Sequence, residues 1–302
     1  MVVYWLFRLT IVLTRPLPLW LGYRVAAAVA EVCYRFFGRQ RRALNENLGW
    51  VLQSDDRREV DAVARRAFRN FGKFVIDFIH FPVITREEVR RRLVFQQWEE
   101  LDEVSHSGRG VLIVTMHFGV FDLGAAALAT YDYPVHAIAD NYGYGKMDEV
   151  IHSSRDRLGL KVIPVDRVGK GVFRALRRGD ILCMLVDVPP PGQTILVDFL
   201  GAPAEVSSTP ARIALRTGAW VVPAIVYRGP EEDTLIRPVL DTRTVRYEPT
   251  GDEERDVLAL TRLILQALEP HVRAHPEQWF IFRRMWPHLS ERRPRPAVAA
   301  EA

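Results

Sequence analysis

Short apolar runs alternate with longer mixed segments along most of this chain, and the alternation predicts an α/β protein. From residue 110 onward, aliphatic and β-branched residues cluster in runs bounded by Gly, Pro, Asp or Ser. Such runs are typical of buried strands. The predicted strands are Val111–Met116, Val135–Ala139, Lys161–Val165, Ile181–Val186, Thr194–Phe199, Trp220–Tyr227 and Thr234–Val239.

The segments between these runs predict helices, because their apolar residues recur at helical spacing or a glycine follows their last turn. The predicted helices are Asp55–Phe81, Leu123–Leu128, Lys146–Leu158, Val172–Arg178, Pro210–Thr217 and Asp252–Val272. Glu87–Val104 is expected to form a polar helix or a helix–strand piece, and Gly201–Thr209 a loop. Strands alternating with helices favour an open, mixed sheet covered by helices on both sides.

The first 37 residues are unusually apolar but do not form an uninterrupted run. They are broken by Arg8, Arg15, Pro16, Pro18 and Arg24. No uncharged stretch reaches the roughly 18–20 residues that a spanning helix prefers. Tyrosine and tryptophan interleaved with arginine are typical of an interfacial anchor. We therefore predict that residues 1–40 form a helical membrane-associating segment in peripheral or monotopic contact; the alternative is a helical hairpin that packs on the main domain.

The length of 302 residues suits one large α/β domain with an appendage. We assign residues 41–290 to the main domain and the Pro- and Ala-rich residues 291–302 to a disordered tail. A hydrophobic content of 48% with 26% charged residues is that of a globular chain. The two cysteines, Cys33 and Cys183, show neither a disulfide framework nor metal-ligand spacing. This predicts a reducing, cytoplasmic environment and no metal site.

The net charge of +4 comes mainly from arginine, since only four of the 41 basic residues are lysines. Guanidinium groups bind phosphates and anionic head groups through two parallel hydrogen bonds. The cluster Arg39, Arg41 and Arg42 therefore suits an anionic membrane leaflet. The same cluster also suits a solvated helix face.

His117 and Asp122 follow the strand Val111–Met116 at a predicted strand-to-helix junction, where α/β sheets tend to build their sites. Five residues turn through about 500° of helix, so the two side chains would not share one helical face. They can converge if His117 lies in the connection and Asp122 near the helix start. Asp122 would then fix the imidazole tautomer and leave the other nitrogen as a base. The alternative is a structural histidine beside a helix-capping aspartate.

Further polar residues follow or adjoin strand ends, namely Asp140, Asp187 and Arg155. Asp187 ends an apolar strand, where an unpaired carboxylate would be costly, so His117 or an arginine is expected to pair with it. The alternative for Asp187 is a turn residue before the Pro-rich loop. For Arg155 the alternative is a surface salt bridge with Glu149 or Asp156.

A conventional protein nucleophile is missing from the sequence. There is no Gly-x-Ser-x-Gly elbow, Walker loop, dinucleotide fingerprint or zinc signature, and Cys183 lies inside a predicted strand. A base with a carboxylate partner and no nucleophile favours direct transfer. In that reaction an acceptor hydroxyl loses its proton to the base and itself attacks an activated acyl group.

Short motifs follow one another in a characteristic order along the chain, although each motif alone is a weak signal. The motifs are Arg41–Leu48 (RRALNENL), His117–Asp122 (HFGVFD), Arg155–Pro164, Leu182–Asp187, Val197–Gly201, Pro210–Ala219, His275–Trp279 and Arg283–Trp286. Together they resemble the bacterial lipid A biosynthesis acyltransferases of the lauroyl and myristoyl type, together with the mycobacterial phosphatidylinositol mannoside acyltransferases. The resemblance implies a glycerolipid-acyltransferase-like fold, with residues 41–290 as the acyltransferase domain.

The resemblance also implies roles for single residues. His117 would be the general base of an HxxxxD motif, and Asp122 would orient or polarise. Asp187 matches an acidic residue that pairs with the histidine in the mannoside enzymes. Arg155 matches an arginine that lines the active site and Asp140 matches another acidic position, and both are expected to bind substrate. Whether Asp122 or Asp187 pairs with His117 stays open at the level of sequence.

The reaction implied by the resemblance is acyl transfer from acyl-CoA or acyl carrier protein to a hydroxyl of a membrane glycolipid or phospholipid, without a further cofactor. Phe118, together with Phe121 and the helix face of Phe71, Phe74 and Phe78, is expected to form a wall for the acyl chain. We expect peripheral or monotopic binding to anionic lipids at the cytoplasmic face of the bacterial plasma membrane, and no nucleic-acid partner. The alternatives are a thioester or lipid hydrolase on the same scaffold and a non-catalytic protein that binds anionic lipids.

Overall fold

The structure, a computed structural model, describes residues 2–14, 16–139, 143, 145–164, 168–229 and 237–286. Asp140, the first residues of the predicted strand Thr234–Val239 and the predicted disordered tail 291–302 lie outside these ranges.

Helices make up the first third of the chain and then alternate with strands. The helices of the described residues are α1 (Val2–Thr14), α2 (Leu19–Phe36), α3 (Gly38–Val51), α4 (Arg57–His80), α5 (Arg86–Arg92), α6 (Trp98–Ser105), α7 (Phe121–Thr130), α8 (Lys146–Leu158), α9 (Val168–Arg177), α10 (Thr209–Thr217) and α11 (Glu253–Ala274). A short 3-10 helix, Pro276–Gln278, follows α11.

The strands are β1 (Val94–Gln96), β2 (Val111–Thr115), β3 (Val135–Ala139), β4 (Lys161–Pro164), β5 (Ile181–Leu185), β6 (Thr194–Phe199), β7 (Ala202–Ser207), β8 (Trp220–Tyr227) and β9 (Val239–Thr242). Seven of them form one sheet in the order β1-β9-β8-β2-β5-β3-β4. The pairs of this sheet are parallel except β8 with β9, so the sheet is open and mixed. This confirms the predicted mixed sheet.

Alternate residues of the central strands bury opposite faces of the sheet, as the two-residue period of a strand requires. On one face, Leu112 and Val114 pack with residues of α9, α10 and α11. On the other face, Val111 and Ile113 pack with residues of α5, α6 and α7. Helices therefore flank both faces, which confirms that part of the predicted architecture and explains why β2 reads as a continuous apolar run.

The predicted loop Gly201–Thr209 is wrong, because most of it forms β7, which pairs with β6 in an antiparallel hairpin. Leu200 and Gly201 make the two-residue turn with positive φ angles of 57° and 88°. These angles match the type I′ turn that suits the twist of a hairpin. The usual Asn-Gly or Asp-Gly signal is missing here, and Pro203 argues against a strand interior. The sequence pattern therefore does not predict this hairpin.

The predicted bounds also differ from the structure at other places, among them the start of α9, which lies at Val168 rather than Val172. Of the strand expected at Thr234–Val239, residues 237 and 238 are not in a strand, and β9 begins at Val239 and runs on to Thr242. The helix–strand alternative for Glu87–Val104 is confirmed in its first part by α5 and the edge strand β1, but a second helix, α6, follows them. The strands Val135–Ala139, Thr194–Phe199 and Trp220–Tyr227 and the helix Lys146–Leu158 have the predicted bounds.

The helix α2 packs on α4 with one side, while its other side is apolar and exposed. The packed side buries Gly22, Tyr23, Ala30 and Tyr34. The exposed side carries Val25, Val29, Val32 and Phe36, the last with 80% of its surface accessible. Among the described residues, no helix combines the length and the apolar character needed to cross a membrane.

A buried ionic cluster joins α2 to the sheet domain. Asp77 of α4 accepts hydrogen bonds from Tyr23 of α2 (2.8 Å) and Arg92 of α5 (2.6 Å), and it forms an ion pair with Arg228, which follows β8. Burial and the nearby Asp77 charge raise the pKa of Tyr23 to about 12, so this phenol stays a donor. Removing one partner of such a buried pair costs about 3–5 kcal/mol, so the cluster fixes α2 in place.

Candidate active site

The register of two neighbouring parallel strands brings His117 and Asp187 together. Thr115 at the end of β2 pairs with Leu185 at the end of β5. Each of the two site residues lies two positions further along its own chain segment, at the carboxyl edge of the sheet. The imidazole Nδ1 of His117 lies 2.9 Å from Oδ1 of Asp187. Asp187 rather than Asp122 is therefore the partner of the histidine.

The Asp187 carboxylate is fully buried and bound on both oxygens. Its Oδ2 accepts hydrogen bonds from the backbone N–H of His117 (2.9 Å) and from Nε1 of Trp279 (3.1 Å). Burial by itself would raise the pKa of Asp187, but the histidine charge and these hydrogen bonds prevail and lower it. Asp187 is therefore a fixed anion, which the alternative of a simple turn residue does not explain.

His117 presents a partly exposed ring, with 32% of its side chain accessible. Because Asp187 accepts a hydrogen bond from Nδ1–H, the neutral ring keeps a lone pair on Nε2, which has no hydrogen-bond partner within the described residues. Burial acts to lower the pKa of His117, but the charge and hydrogen bond of Asp187 outweigh it and raise the pKa above 6.5. The ring is an oriented base at the protein surface.

The segment after α11, residues 276–286, holds the loop that carries His117. Phe280 donates its N–H to the carbonyl of His117, and Gly119 donates its N–H to the carbonyl of Gln278, both at 2.8 Å. Phe118 and Trp279 form an antiparallel bridge between these two bonds. Arg283 donates to the Asp187 carbonyl at 2.7 Å. One short segment thus supports both members of the histidine–aspartate pair.

This C-terminal segment is in turn fixed by α3. Asn47, a buried residue, donates its side-chain amide to the carbonyls of Ile281 (3.0 Å) and Arg283 (2.7 Å) and accepts the N–H of Met285 (2.9 Å). Two motifs far apart in sequence, Arg41–Leu48 and Arg283–Trp286, therefore meet behind the site. Their contact stabilises the backbone that presents Trp279 and Arg283.

Gly119 is required by the close approach of β8. Its φ angle is +56°, and a Cβ built on it would lie 1.8 Å from the carbonyl oxygen of Val226. The neighbouring Val120 N–H donates to that same carbonyl at 3.0 Å. Only glycine fits where the backbone makes this turn.

Asp122 and Arg155 form an ion pair with each other at 2.9 Å, with most of both side chains buried. Asp122 lies in the first turn of α7 and Arg155 near the end of α8. The predicted alternative of a surface pair between Arg155 and Glu149 or Asp156 is wrong, because Arg155 is 3% exposed and binds Asp122. The Asp122 charge also raises the pKa of His117, after the larger effects of Asp187.

The aromatic residues predicted to line the site differ in where they lie. Phe118 is fully buried in the core on the α11 side of the sheet, so its side chain packs inside the domain. Asp140 lies outside the described residues. Phe121 makes an edge contact with the His117 ring at 5.5 Å and stacks on Phe74 at 5.2 Å. An aromatic ridge thus runs from the histidine over Phe121 and Phe74 to Phe71 of α4, and it includes Phe280 and Phe282 of the segment after α11.

Three residues that support the site had no role in the sequence prediction, namely Trp279, Arg283 and Asn47. Each belongs to a motif that carried the family resemblance, and that was the available signal. No local pattern shows that an indole N–H reaches a carboxylate 92 residues earlier in the chain. Within the parts of the chain that the structure describes, no three His, Cys, Asp or Glu side chains are grouped so as to hold a metal ion.

A comparison with known protein families identifies the family of this chain. The sequence model of the family described as bacterial lipid A biosynthesis acyltransferase matches residues 1–288. The chain belongs to this family. It is therefore an O-acyltransferase, and the histidine–aspartate pair lies in the domain of a lipid A biosynthesis-type acyltransferase.

Named relatives of this acyltransferase come from mycobacteria. It is 23% identical over 269 residues to the phosphatidylinositol mannoside acyltransferase of Mycobacterium tuberculosis (strain ATCC 25618 / H37Rv), covering 86% of this chain and 82% of the relative. It is 21% identical over 279 residues to the protein of the same name from Mycolicibacterium smegmatis, covering 91% and 88% of the two chains. The match extends over nearly the full length on both sides.

Proposed function

We propose that this acyltransferase moves a fatty acyl group from a thioester, acyl-CoA or acyl carrier protein, to a hydroxyl of a phosphatidylinositol mannoside-like glycolipid. The observation that carries the proposal is the oriented, partly exposed His117 ring on a fully buried Asp187. The names of the mycobacterial relatives support the acceptor class. The reaction needs a base and no protein nucleophile, and Cys183, with a pKa raised by burial to about 12, does not act as one.

The proposed step conserves atoms and charge. The acceptor hydroxyl loses its proton to Nε2 of His117 as its oxygen attacks the thioester carbonyl. The C–S bond of the tetrahedral adduct then breaks, and the leaving thiolate takes the proton from the imidazolium. The products are an ester and a free thiol. Asp187 stabilises the imidazolium between the two proton transfers, and general-base catalysis of this kind contributes about 10²–10⁴-fold.

The first turn of α7 supports the developing oxyanion in this proposal. The backbone N–H groups of Phe121 and Asp122 donate to no acceptor within the described residues. They lie at the N-terminal end of a helix, where the dipole favours negative charge. Asp122 and Arg155 hold α7 against α8 and so keep these amides in position. A single such donor is worth about 10²–10³ in kcat when it is well placed.

The surface around the site suits acceptors and donors that carry lipid chains. The aromatic ridge of Phe71, Phe74 and Phe121 begins at the His117 ring and offers a wall for an acyl chain. The exposed apolar side of α2 and the arginines of α3 support peripheral contact with anionic lipids, at the cytoplasmic face of the plasma membrane.

The proposal is tested with purified protein, labelled acyl-CoA or acyl carrier protein, and phosphatidylinositol mannoside in mixed micelles. We expect labelled acylated glycolipid, with release of free fatty acid at least about tenfold slower. Free fatty acid as the main product, with or without the glycolipid, would instead establish a hydrolase. Mass spectrometry of lipids from cells with and without the gene checks the acceptor, since the proposal requires an acylated glycolipid to disappear.

A further inference from the structure

An arginine-lined cavity lies between the start of α3 and the C-terminal segment. Its volume is about 690 Å³. Four of its lining residues are arginines, two from α3 and two from the segment, namely Arg39, Arg42, Arg283 and Arg284. The cavity adjoins the aromatic ridge, since Phe282 contributes to both.

Most of the positive charge in this cavity is not matched by a carboxylate. Arg284 forms an ion pair with Glu46 at 2.7 Å. Among the described residues, Arg39 and Arg42 form no ion pair, and Arg42 donates only to the carbonyl of Gly38. Such an excess of guanidinium groups around a cavity is what an anion with several oxygens requires.

Arg283 connects the cavity to the histidine–aspartate pair. Its Nη2 donates to the carbonyl of Asp187, whereas its Nε is buried and has no acceptor within the described residues. A buried guanidinium N–H without a partner costs free energy, and an anion in the cavity would supply that partner. The same side chain would then contact both the ligand and the residue that orients His117.

The position of the cavity indicates where the anion comes from. It opens where α3 begins, directly after the exposed aromatic residues Phe36 and Phe37 at the end of α2. In a phospholipid the phosphate lies next to the apolar chains. On this surface, likewise, the arginine-lined cavity lies next to the exposed apolar end of α2. The phosphates of a thioester donor such as acyl-CoA could supply the same chemistry. An exposed apolar helix end beside the cavity does not favour them, because it suits a ligand that lies at a membrane surface.

We propose that this cavity binds the phosphodiester of the acceptor lipid through Arg39, Arg42 and Arg283. Arg39 and Arg42 contact the phosphate from the membrane side, and the Nε of Arg283 contacts it from the side of the catalytic pair. The acceptor is thereby held by its head group while a hydroxyl further along reaches His117. That the bound lipid is the acyl acceptor rests on the proposed function. Binding of its phosphodiester does not depend on turnover.

The first test measures binding of a soluble probe, glycerophosphoinositol, by titration calorimetry, so that no membrane is involved. The variant Arg39→Gln/Arg42→Gln removes two exposed charges and is expected to raise the Kd about tenfold or more. The matched control Arg58→Gln/Arg66→Gln removes two exposed charges on α4 away from the cavity and should leave the Kd within twofold. Free inositol, which lacks the phosphate, should not bind. An unchanged Kd in the Arg39/Arg42 variant would overturn the assignment.

The second test separates the two possible sources of phosphate and separates this site from the proposed function. In steady-state assays the Arg39/Arg42 variant should raise the KM for the glycolipid about tenfold and leave the KM for acyl-CoA within twofold. A rise in the KM for acyl-CoA alone would show that the cavity binds the phosphates of the donor, and it would overturn the lipid assignment. The variant His117→Ala should bind glycerophosphoinositol like the wild type. Normal probe binding without transfer to any acceptor would refute the proposed function and leave the phosphate site standing.

Discussion

His117 and Asp187 lie at equivalent places just beyond two hydrogen-bonded parallel strands, each two residues after the paired strand ends Thr115 and Leu185. The sheet register therefore sets the 2.9 Å distance between Nδ1 and Oδ1. Residues 276–286 then hold the loop that carries His117 in place. A site built on strand ends is more rigid than one built on loops alone, which suits a base that must keep one tautomer.

Replacing His117 with alanine should remove the base and reduce acyl transfer by about 10³-fold or more. Folding should survive, because Asp187 keeps its hydrogen bonds from the backbone N–H of residue 117 and from Trp279. Loss of the imidazole donor to a buried carboxylate is expected to cost about 1–3 kcal/mol. Transfer rates and urea unfolding check both parts, and near wild-type turnover would remove His117 from the mechanism.

The pH dependence of transfer should report the raised pKa of His117. Only the neutral ring accepts a proton, so kcat/KM should rise with pH and reach half its plateau above pH 6.5. In Asp187→Asn the negative charge that stabilises the imidazolium is gone, which lowers the pKa of His117 and moves this limb to lower pH. The plateau should fall by about 10²-fold or more because the tautomer is no longer fixed. If the acid limb of the pH profile did not move in Asp187→Asn, a group other than His117 would control the pH dependence.

Trp279→Phe tests whether the indole N–H positions Asp187. The ring volume is largely kept, but Oδ2 of Asp187 loses one donor. We expect about 1–2 kcal/mol less stability and a several-fold loss of kcat, with a shifted acid limb of the pH profile. Trp50→Phe is the matched control, because Trp50 donates to the carbonyl of Leu200 away from the pair. The control should lose similar stability and keep the pH profile; identical profiles in both variants would refute the role of Trp279.

The sequence predicted the central sheet well because its strands are buried on both faces and read as apolar runs. It placed His117 and Asp187 at strand ends but left open which carboxylate pairs with the histidine. That choice depends on strand order, since β5 lies next to β2 only in the folded sheet. The roles of Trp279 and Asn47 were likewise inaccessible, because both act through contacts between distant segments. The β7 hairpin was missed because Leu200-Gly201 is an unusual type I′ turn sequence.

Asp122 and Arg155 should behave as a coupled pair. Asp122→Ala leaves a buried arginine without this carboxylate and is expected to cost about 3 kcal/mol or more. Adding Arg155→Met should recover part of that loss, so the two changes will not be additive in urea unfolding. The acid limb of the pH profile should move less in Asp122→Ala than in Asp187→Asn, because Asp122 is the smaller influence on His117. Additive free energies would show that the ion pair contributes nothing.

Gly119→Ala should be far more damaging than a typical glycine substitution. The new Cβ would meet the Val226 carbonyl at 1.8 Å, and the φ angle of +56° is itself unfavourable for alanine. Gly108→Ala serves as the control, since its φ is +78° but no atom lies within 4 Å of its Cβ position. We expect about 1–2 kcal/mol for Gly108→Ala from the backbone angle alone, and about 3–5 kcal/mol for Gly119→Ala. Equal losses of unfolding free energy would contradict the close approach of β8.

The late position of residues 276–286 in the chain has a consequence for biosynthesis. His117 and Asp187 leave the ribosome long before the segment that anchors their loop and supplies Trp279 and Arg283. In a nascent chain the histidine–aspartate pair therefore lacks these two supports until residues 276–286 have been synthesised. A polypeptide truncated within α11 would therefore contain both His117 and Asp187 but lack the indole and guanidinium donors that support Asp187.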